Sequence, residues 1–362
     1  MPAIATAADP PPRSVTRSSE SPSRRAWRRF RGNRLGYASL MVLAVLFGIS
    51  ALAELISNDK PLVARYDGHW YFPVAQTLPE TTFGGDFPTP TDYLDPLIRD
   101  NLAKPGNFAV FPLNPYHHST IYYFAKQPNP AAPSRANLLG TDDRGRDLLA
   151  RLLYGFRISV VFALIVTVAC TVFGMLFGAV QGYLAGWTDI GMERVKEIWG
   201  AMPQLYMLII FSSLFTPSFT LLVILISIFG WLAVAAYVRA EFLKNRTLDY
   251  VRAARALGQS NRKIMWRHIL PNSLTPVVTL VPFEMVGAIG ALTSLDFLGL
   301  GVPAGTPSLG ELLNQAKNNL DAWWLALSTF SVLVITLMLL VLIGDALRDA
   351  LDPRMVLKGD DE

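Results

Sequence analysis

Few side chains in this 362-residue sequence could do covalent chemistry, and those few are poorly spaced for it. His117 and His118 are adjacent, so on an extended chain they point to opposite faces, and no nearby carboxylate stands at a convincing ligand spacing. A structural or surface role suits them better. Asp142 and Asp143 are the other acids that could serve acid–base work near a membrane face. Cys170 is the only cysteine, which excludes an internal disulfide and a cysteine-based metal site. No G-x-x-x-x-G-K-[ST], H-E-x-x-H, G-x-S-x-G or C-x-x-C occurs, so the usual phosphate cradle is missing and the chain is not expected to bind ATP. Glu284 sits in an apolar run, where an acid is costly and usually faces a cavity or a partner. It could line a cavity between helices, or pair with a polar group on a neighbouring helix. Gln204, beside Pro203, is a second polar residue in an apolar run.

What remains is mechanical rather than covalent. Residues 249–272 read DYVRAARALGQSNRKIMWRHILPN, a basic and polar stretch between apolar segments. Thr247 can cap a helix, Asp249 suits its first turn and Gly258 can stop it. Tyr250, Ala253, Ala254 and Leu257 share one helical face, with Arg252 and Arg255 on the other. Ser260 can cap a second short helix that Pro271 is expected to end. Two readings fit: an amphipathic helix lying on anionic lipid, or a helix whose small residues let another protein approach closely.

The elements around this stretch are membrane spans. Mean hydropathy is +0.32, above that of ordinary soluble domains. Residues 1–34 are expected to form a disordered basic tail, with eight arginines against Asp9 and Glu20. Beside an apolar segment this reads as a cytoplasmic flank rather than a nucleic-acid arm. Residues 35–56 are long enough to span a bilayer, which takes roughly 20 residues. Ala51-Leu52-Ala53 resembles a cleavage site and Ser23-Arg24-Arg25 hints at a twin-arginine signal. The long basic region and the spans that follow favour a retained helix. Residues 57–138 are rich in Pro, Asn, Asp, Thr and aromatics, and form an insertion too long for a plain loop. Residues 139–347 form a transmembrane core with further spans at about 158–184, 198–215, 219–238, 274–295 and 323–343, the third interrupted by Pro203. Its basic segment covers 244–271, and 348–362 is a short tail.

At the entry to the core, Thr141 or Asp142 can cap a helix. Its stripe of Leu148, Leu149, Leu152, Leu153 and Phe156 opposes Arg146, Asp147 and Arg151. Gly174, Gly178, Gly182 and Gly186 recur every four residues and invite close helix packing, within the chain or with another subunit.

The basic stretch resembles the cytoplasmic loop of ABC-importer permeases, whose pattern is E-A-A, three residues, Gly, nine residues, I-x-L-P. Ala253, Ala254, Gly258, Leu270 and Pro271 stand at matching positions, while Arg252 replaces the Glu and His268 the Ile. The form A-A-R-A-L-G followed by R-H-I-L-P-N is similar to the dipeptide, oligopeptide and nickel permeases, as are LGTDDRGRDLLARLLYGFRIS and TSLDFLGLGVP. NPYHHSTIYY resembles the extra loop of the second permease of microcin C-type peptide importers.

The resemblance implies an all-α integral membrane protein with six transmembrane helices, the ABC importer permease fold, and a long extracytoplasmic insertion after the first span. It implies a heterodimer with a second permease, two ABC ATPase subunits carrying ATP and Mg, an extracytoplasmic solute-binding protein, and a lipid bilayer around the assembly. Tyr250, Arg252, Ala253, Ala254, Arg255, Leu257, Gly258 and Pro271 would couple the chain to the ATPases; Glu284 and Gln204 are candidates for the solute path. This chain itself would be no enzyme. Charge agrees on topology: eight Lys or Arg lie between Arg239 and His268, so both termini and the coupling segment are expected in the cytoplasm of a bacterial inner membrane. Arg144, Arg146, Arg151 and Arg157 fall on the outer side against that tendency, and the parity of the spans decides. Two other classes stand beside this one. An ion-coupled secondary transporter would use Glu284 as its coupling acid, though no inverted repeat is evident. A polytopic membrane enzyme would need converging ligands or acids at one face.

Overall fold

The computed structural model describes residues 22–121, 128–303 and 305–352. The basic collar is helical rather than disordered: α1 (Pro22–Gly32) seats Phe30, 2% exposed, among Ile343, Ala346 and Ala350. One aromatic among arginines suffices to dock it. Residues 1–21 of the expected tail lie outside the described residues, as do 353–362 at the other end.

Asn33 caps α2 (Arg34–Ala51) by accepting from the Gly36 amide, and a short turn, α3 (Ala53–Ile56), follows. The insertion is ordered around its own small core. A three-stranded antiparallel sheet of β1 (Val63–Tyr66), β2 (His69–Tyr71) and β3 (Phe108–Val110) runs in the order β2-β1-β3. Helix α4 (Pro96–Ala103) packs Ile98 and Leu102 with Ala64, Phe83 and Tyr93.

The core begins with α5 (Leu148–Leu184), about 55 Å long at 1.5 Å per residue and so longer than the hydrocarbon layer. Asp147, not Thr141 or Asp142, is its cap, accepting from the Ala150 amide at 2.8 Å. Then come α6 (Gly186–Ala201), α7 (Gln204–Leu214) and α8 (Phe219–Asn245). The glycine repeat faces α8: a Cβ at Gly174 would lie 2.6 Å from Val234 Cβ, one at Gly178 2.5 Å from the Ala235 carbonyl oxygen, and one at Gly182 2.6 Å from that of Arg239. Gly186 has open space beside it and leaves the stripe. The first three glycines therefore serve packing inside the chain.

The basic stretch forms α9 (Asp249–Ala256) and α10 (Asn261–Lys263), and a π-helical turn, Ile264–Ile269, leads directly into α11 (Leu270–Phe297). Pro271 does not end a helix, contrary to expectation. It lies in the first turn of α11, just after the widened turn, where its missing N–H and its ring are tolerated. Helices α12 (Leu309–Asn318) and α13 (Trp323–Leu351) complete the chain.

Among the described residues, five continuous helices are long and apolar enough to cross a membrane: α2, α5, α8, Asn261–Phe297 and α13. The third expected span, 198–215, is divided at Met202–Pro203 between α6 and α7. Alone, the 11 residues of α7 cover about 16 Å, so a crossing there needs both pieces. The main core joins Phe162, Val166, Leu222, Ile226, Ile289 and Leu292, from α5, α8 and α11.

Candidate functional site

Helix α9 is held by one side and open on the other. Val251 is fully buried and Ala254 is 5% exposed, packed with Phe242, Ile264, Ile269 and Val277. The open side carries Tyr250, Arg252, Ala253, Arg255 and Leu257, the last 80% exposed. The expected face of Tyr250, Ala253, Ala254 and Leu257 therefore splits: Ala254 points into the chain, and Val251, three residues earlier, is its companion anchor. An i, i+3 pairing of Val251 with Ala254 was readable in the sequence, but nothing there said which stripe faced inward.

The ends of α9 are set by backbone geometry. Thr247 is not its cap; the Thr247 hydroxyl donates to the Lys244 carbonyl at 2.9 Å, and Leu248 opens the helix without a side-chain cap. At the far end Gly258 takes φ +74. Its amide donates to the Arg255 carbonyl at 3.0 Å, and that of Gln259 to the Ala254 carbonyl at 3.2 Å. This paired closure needs a left-handed residue, which glycine supplies without steric cost. Beyond it, Ser260 caps α10 as expected, accepting from the Lys263 amide, and His268 Nε2 meets Gln259 Oε1 at 2.7 Å. The exposed Asp249–Arg252 pair, 3.9 Å apart, contributes little, leaving both groups available to a partner.

A polar brace fixes the base of this helix to the bundle. Tyr183 donates to Asn261 Oδ1 at 2.7 Å, and Arg246 donates to the Tyr183 carbonyl at 3.2 Å. Asn245 donates to the Ser273 hydroxyl at 3.1 Å. Close by, Arg239 on α8 grips both oxygens of Asp189 on α6, at 2.5 and 2.8 Å. The Arg239 guanidinium holds the Asp189 carboxyl below the usual carboxylate range. Sequence reasoning missed this brace, because its partners lie 28 to 78 residues apart.

The other candidates are scattered. Gln204 is exposed at the first turn of α7; Glu284 is half-buried on α11, and no hydrogen bond or ion pair holds either among the described residues. No hydrogen bond brings them together. His117 and His118 pack against each other with their ring planes tilted by 40°, 4.0 Å between ring centres, and both meet Tyr154 edge-on. Among the described residues no cluster of three or more ligating side chains could hold a metal. Burial and the nearby His117, Arg151 and Arg146 push the His118 imidazole down to about 4. Of the four arginines that opposed the charge tendency, three are paired with acids: Arg157 donates to both oxygens of Glu54 at 2.9 Å, Arg146 to Asp142 at 2.6 Å, and Arg151 to Glu311. Arg151, expected on a polar face, is instead fully buried and paired with Glu311.

Comparison with known proteins agrees with this architecture. Residues 170–357 match the model of the binding-protein-dependent transport system inner membrane component, and residues 21–73 match the N-terminal TM domain of oligopeptide transport permease C. The chain is 49% identical over 327 residues to the inner membrane ABC transporter permease protein YejE of Escherichia coli, covering 90% of this chain and 96% of that protein. It is 43% identical over 356 residues to the peptidoglycan transport system permease protein YejE of Agrobacterium fabrum, covering 92% and 93%. The oligopeptide transport system permease protein OppC of Lactococcus lactis is 36% identical over 226 residues, covering 61% and 76%. The chain belongs to the family of inner membrane components of binding-protein-dependent transport systems, and is an integral membrane permease subunit of an ABC importer.

Proposed function

We propose that this permease passes peptides or peptide-like solutes, peptidoglycan fragments among them, by alternating access. Support comes from the relatives' names, which include oligopeptide and peptidoglycan transport systems. A second, different permease pairs with it, an extracytoplasmic binding protein delivers solute, and two ATPase subunits below bind the ATP and Mg. Both termini and α9 lie in the cytoplasm.

The observation that carries the coupling role is the two-sided character of α9. Val251 and Ala254 anchor it to α8 and α11, while Tyr250, Ala253, Leu257 and Gly258 stay exposed. An ATPase groove closing on that exposed side moves a helix packed directly on the bundle. The movement reaches Ile264, Ile269 and Val277 without a flexible linker between. Arg252 and Arg255 meet acidic groups of the ATPase, and Pro271 holds the start of α11. Glu284 and Gln204 line the path.

The test is purification of the tagged chain in mild detergent, with identification of what accompanies it. Two ATPase subunits and a second permease are expected; recovery of the chain alone from a transport-competent membrane would refute the assembly.

A further inference from the structure

The insertion contains a cavity of about 700 Å³ that the coupling mechanism does not use. That volume is within the range of small-molecule sites. Its walls carry charge of both signs. Asp59 and Lys60 lie on the segment before β1, Arg99 and Asp100 on α4, and Asp92 between them. Among the described residues none of these five makes an ion pair, although they share one cavity.

Their existing bonds leave capacity free. Asp59 accepts from the Thr120 hydroxyl at 2.7 Å and Asp92 from the Leu94 amide at 2.9 Å, each through one oxygen. Arg99 donates Nε to the Tyr93 carbonyl at 3.3 Å and stacks over Phe111, with its terminal nitrogens unspent. Tyr93 supplies an independent signal. It is 3% exposed, its hydroxyl lies towards Thr91 and Asp59 in the cavity wall, and it makes no hydrogen bond of regular geometry. A buried hydroxyl is normally satisfied, so this one lacks an acceptor. The phenol is protonated at neutral pH in any case, and burial pushes it further up, to about 12.

We propose that this cavity binds a short zwitterionic peptide or peptide-like solute outside the membrane-spanning helices, its carboxylate met by Arg99, Lys60 and Tyr93 and its ammonium by the aspartates. The lining brings three carboxylates and two cations to one cavity, so each end of a zwitterion finds a counter-charge there. The site rests on the peptide reading above.

The test titrates the assembled transporter in lipid nanodiscs, without binding protein, with trialanine and with N-acetyl-trialanine amide, following heat release. Saturable binding of trialanine is expected, weakened about tenfold or more by blocking the ends or by Arg99→Ala, the loss expected for a charge-assisted bond. Tyr93→Phe keeps the ring packing and weakens binding less. Trialanine uptake by the complete system is measured in parallel. Absence of binding, or binding indifferent to blocked ends and to Arg99→Ala, overturns the site whatever uptake does. Binding without uptake overturns the peptide reading and leaves the site standing. If Arg99→Ala releases the binding protein while trialanine never binds, the cavity belongs to a protein contact and the proposal falls.

Discussion

Arg151 and Glu311 lie 160 residues apart and meet in an ion pair; the Arg151 side chain has no exposed surface and that of Glu311 keeps 23%. Arg146 reaches Glu311 at 3.3 Å, and Arg151 Nε reaches Asp142 at 3.4 Å, so two cations and two anions balance. The group ties the start of α5 to α12. Removing one member leaves a buried charge uncompensated, at a cost of about 3–5 kcal/mol. Glu311→Ala should therefore lower the detergent melting temperature sharply, whereas the paired change Arg151→Met with Glu311→Leu should recover much of the loss. Equal melting of Glu311→Ala and wild type would show that the pair holds nothing.

Helix α9 offers a contrast between neighbours. Leu257→Asp alters a side chain that is 80% exposed, so the chain should melt as before while ATPase recovery in pull-downs and solute uptake collapse. Ala254→Asp places a charge in the buried cluster and should lower melting itself. If Leu257→Asp kept full uptake, the exposed side of α9 would not be the docking face.

Gly258 separates backbone from contact. A Cβ there meets nothing within 4 Å, but φ +74 strains any L side chain, by about 1–2 kcal/mol. Gly258→Ala should cost some stability and retain part of the uptake; Gly258→Glu should abolish uptake while the protein still inserts. Membrane fractionation beside a transport assay checks both.

The α5–α8 seam predicts a packing failure. Gly178→Val would drive atoms into the Ala235 carbonyl, 2.5 Å from the first added carbon, and the helices must part. Overpacking of this kind costs about 1–3 kcal/mol. The same change at Gly186, where space is open, should be milder in packing terms, though φ +56 adds backbone strain. A larger fall in melting temperature for Gly178→Val than for Gly178→Ala is the expected reading.

His118 gives a pH dependence. Its folded-state value of about 4 lies below the ordinary imidazole range near 6.5. The unfolded chain therefore binds more protons between those values, and stability should fall as pH drops from about 6.5 to about 4. His118→Phe keeps an aromatic ring beside His117 and Tyr154 but cannot titrate, so its melting curve should flatten in that window. Parallel slopes for the two proteins would assign the acid sensitivity elsewhere.

The periodicity and punctuation of the sequence determined much of this protein. Apolar run lengths marked the spans, Pro203 the break between α6 and α7, and Gly258 the end of α9. The order A-A-R-A-L-G to I-L-P-N carried the family. These features were legible because they are local: hydrophobic length, a missing N–H and a left-handed φ depend on a few neighbouring residues. Tertiary structure alone decided which stripe of α9 faces inward, that Gly178 serves α8 rather than another subunit, and that Arg151 is buried. It also docked Phe30, in a basic segment expected to be disordered, against α13. Each of those outcomes depends on groups far away in the chain, such as Glu311 for Arg151 and Asp189 for Arg239. The energy of a charge or an apolar face is set by what surrounds it after folding, and single-chain spacing does not contain that information.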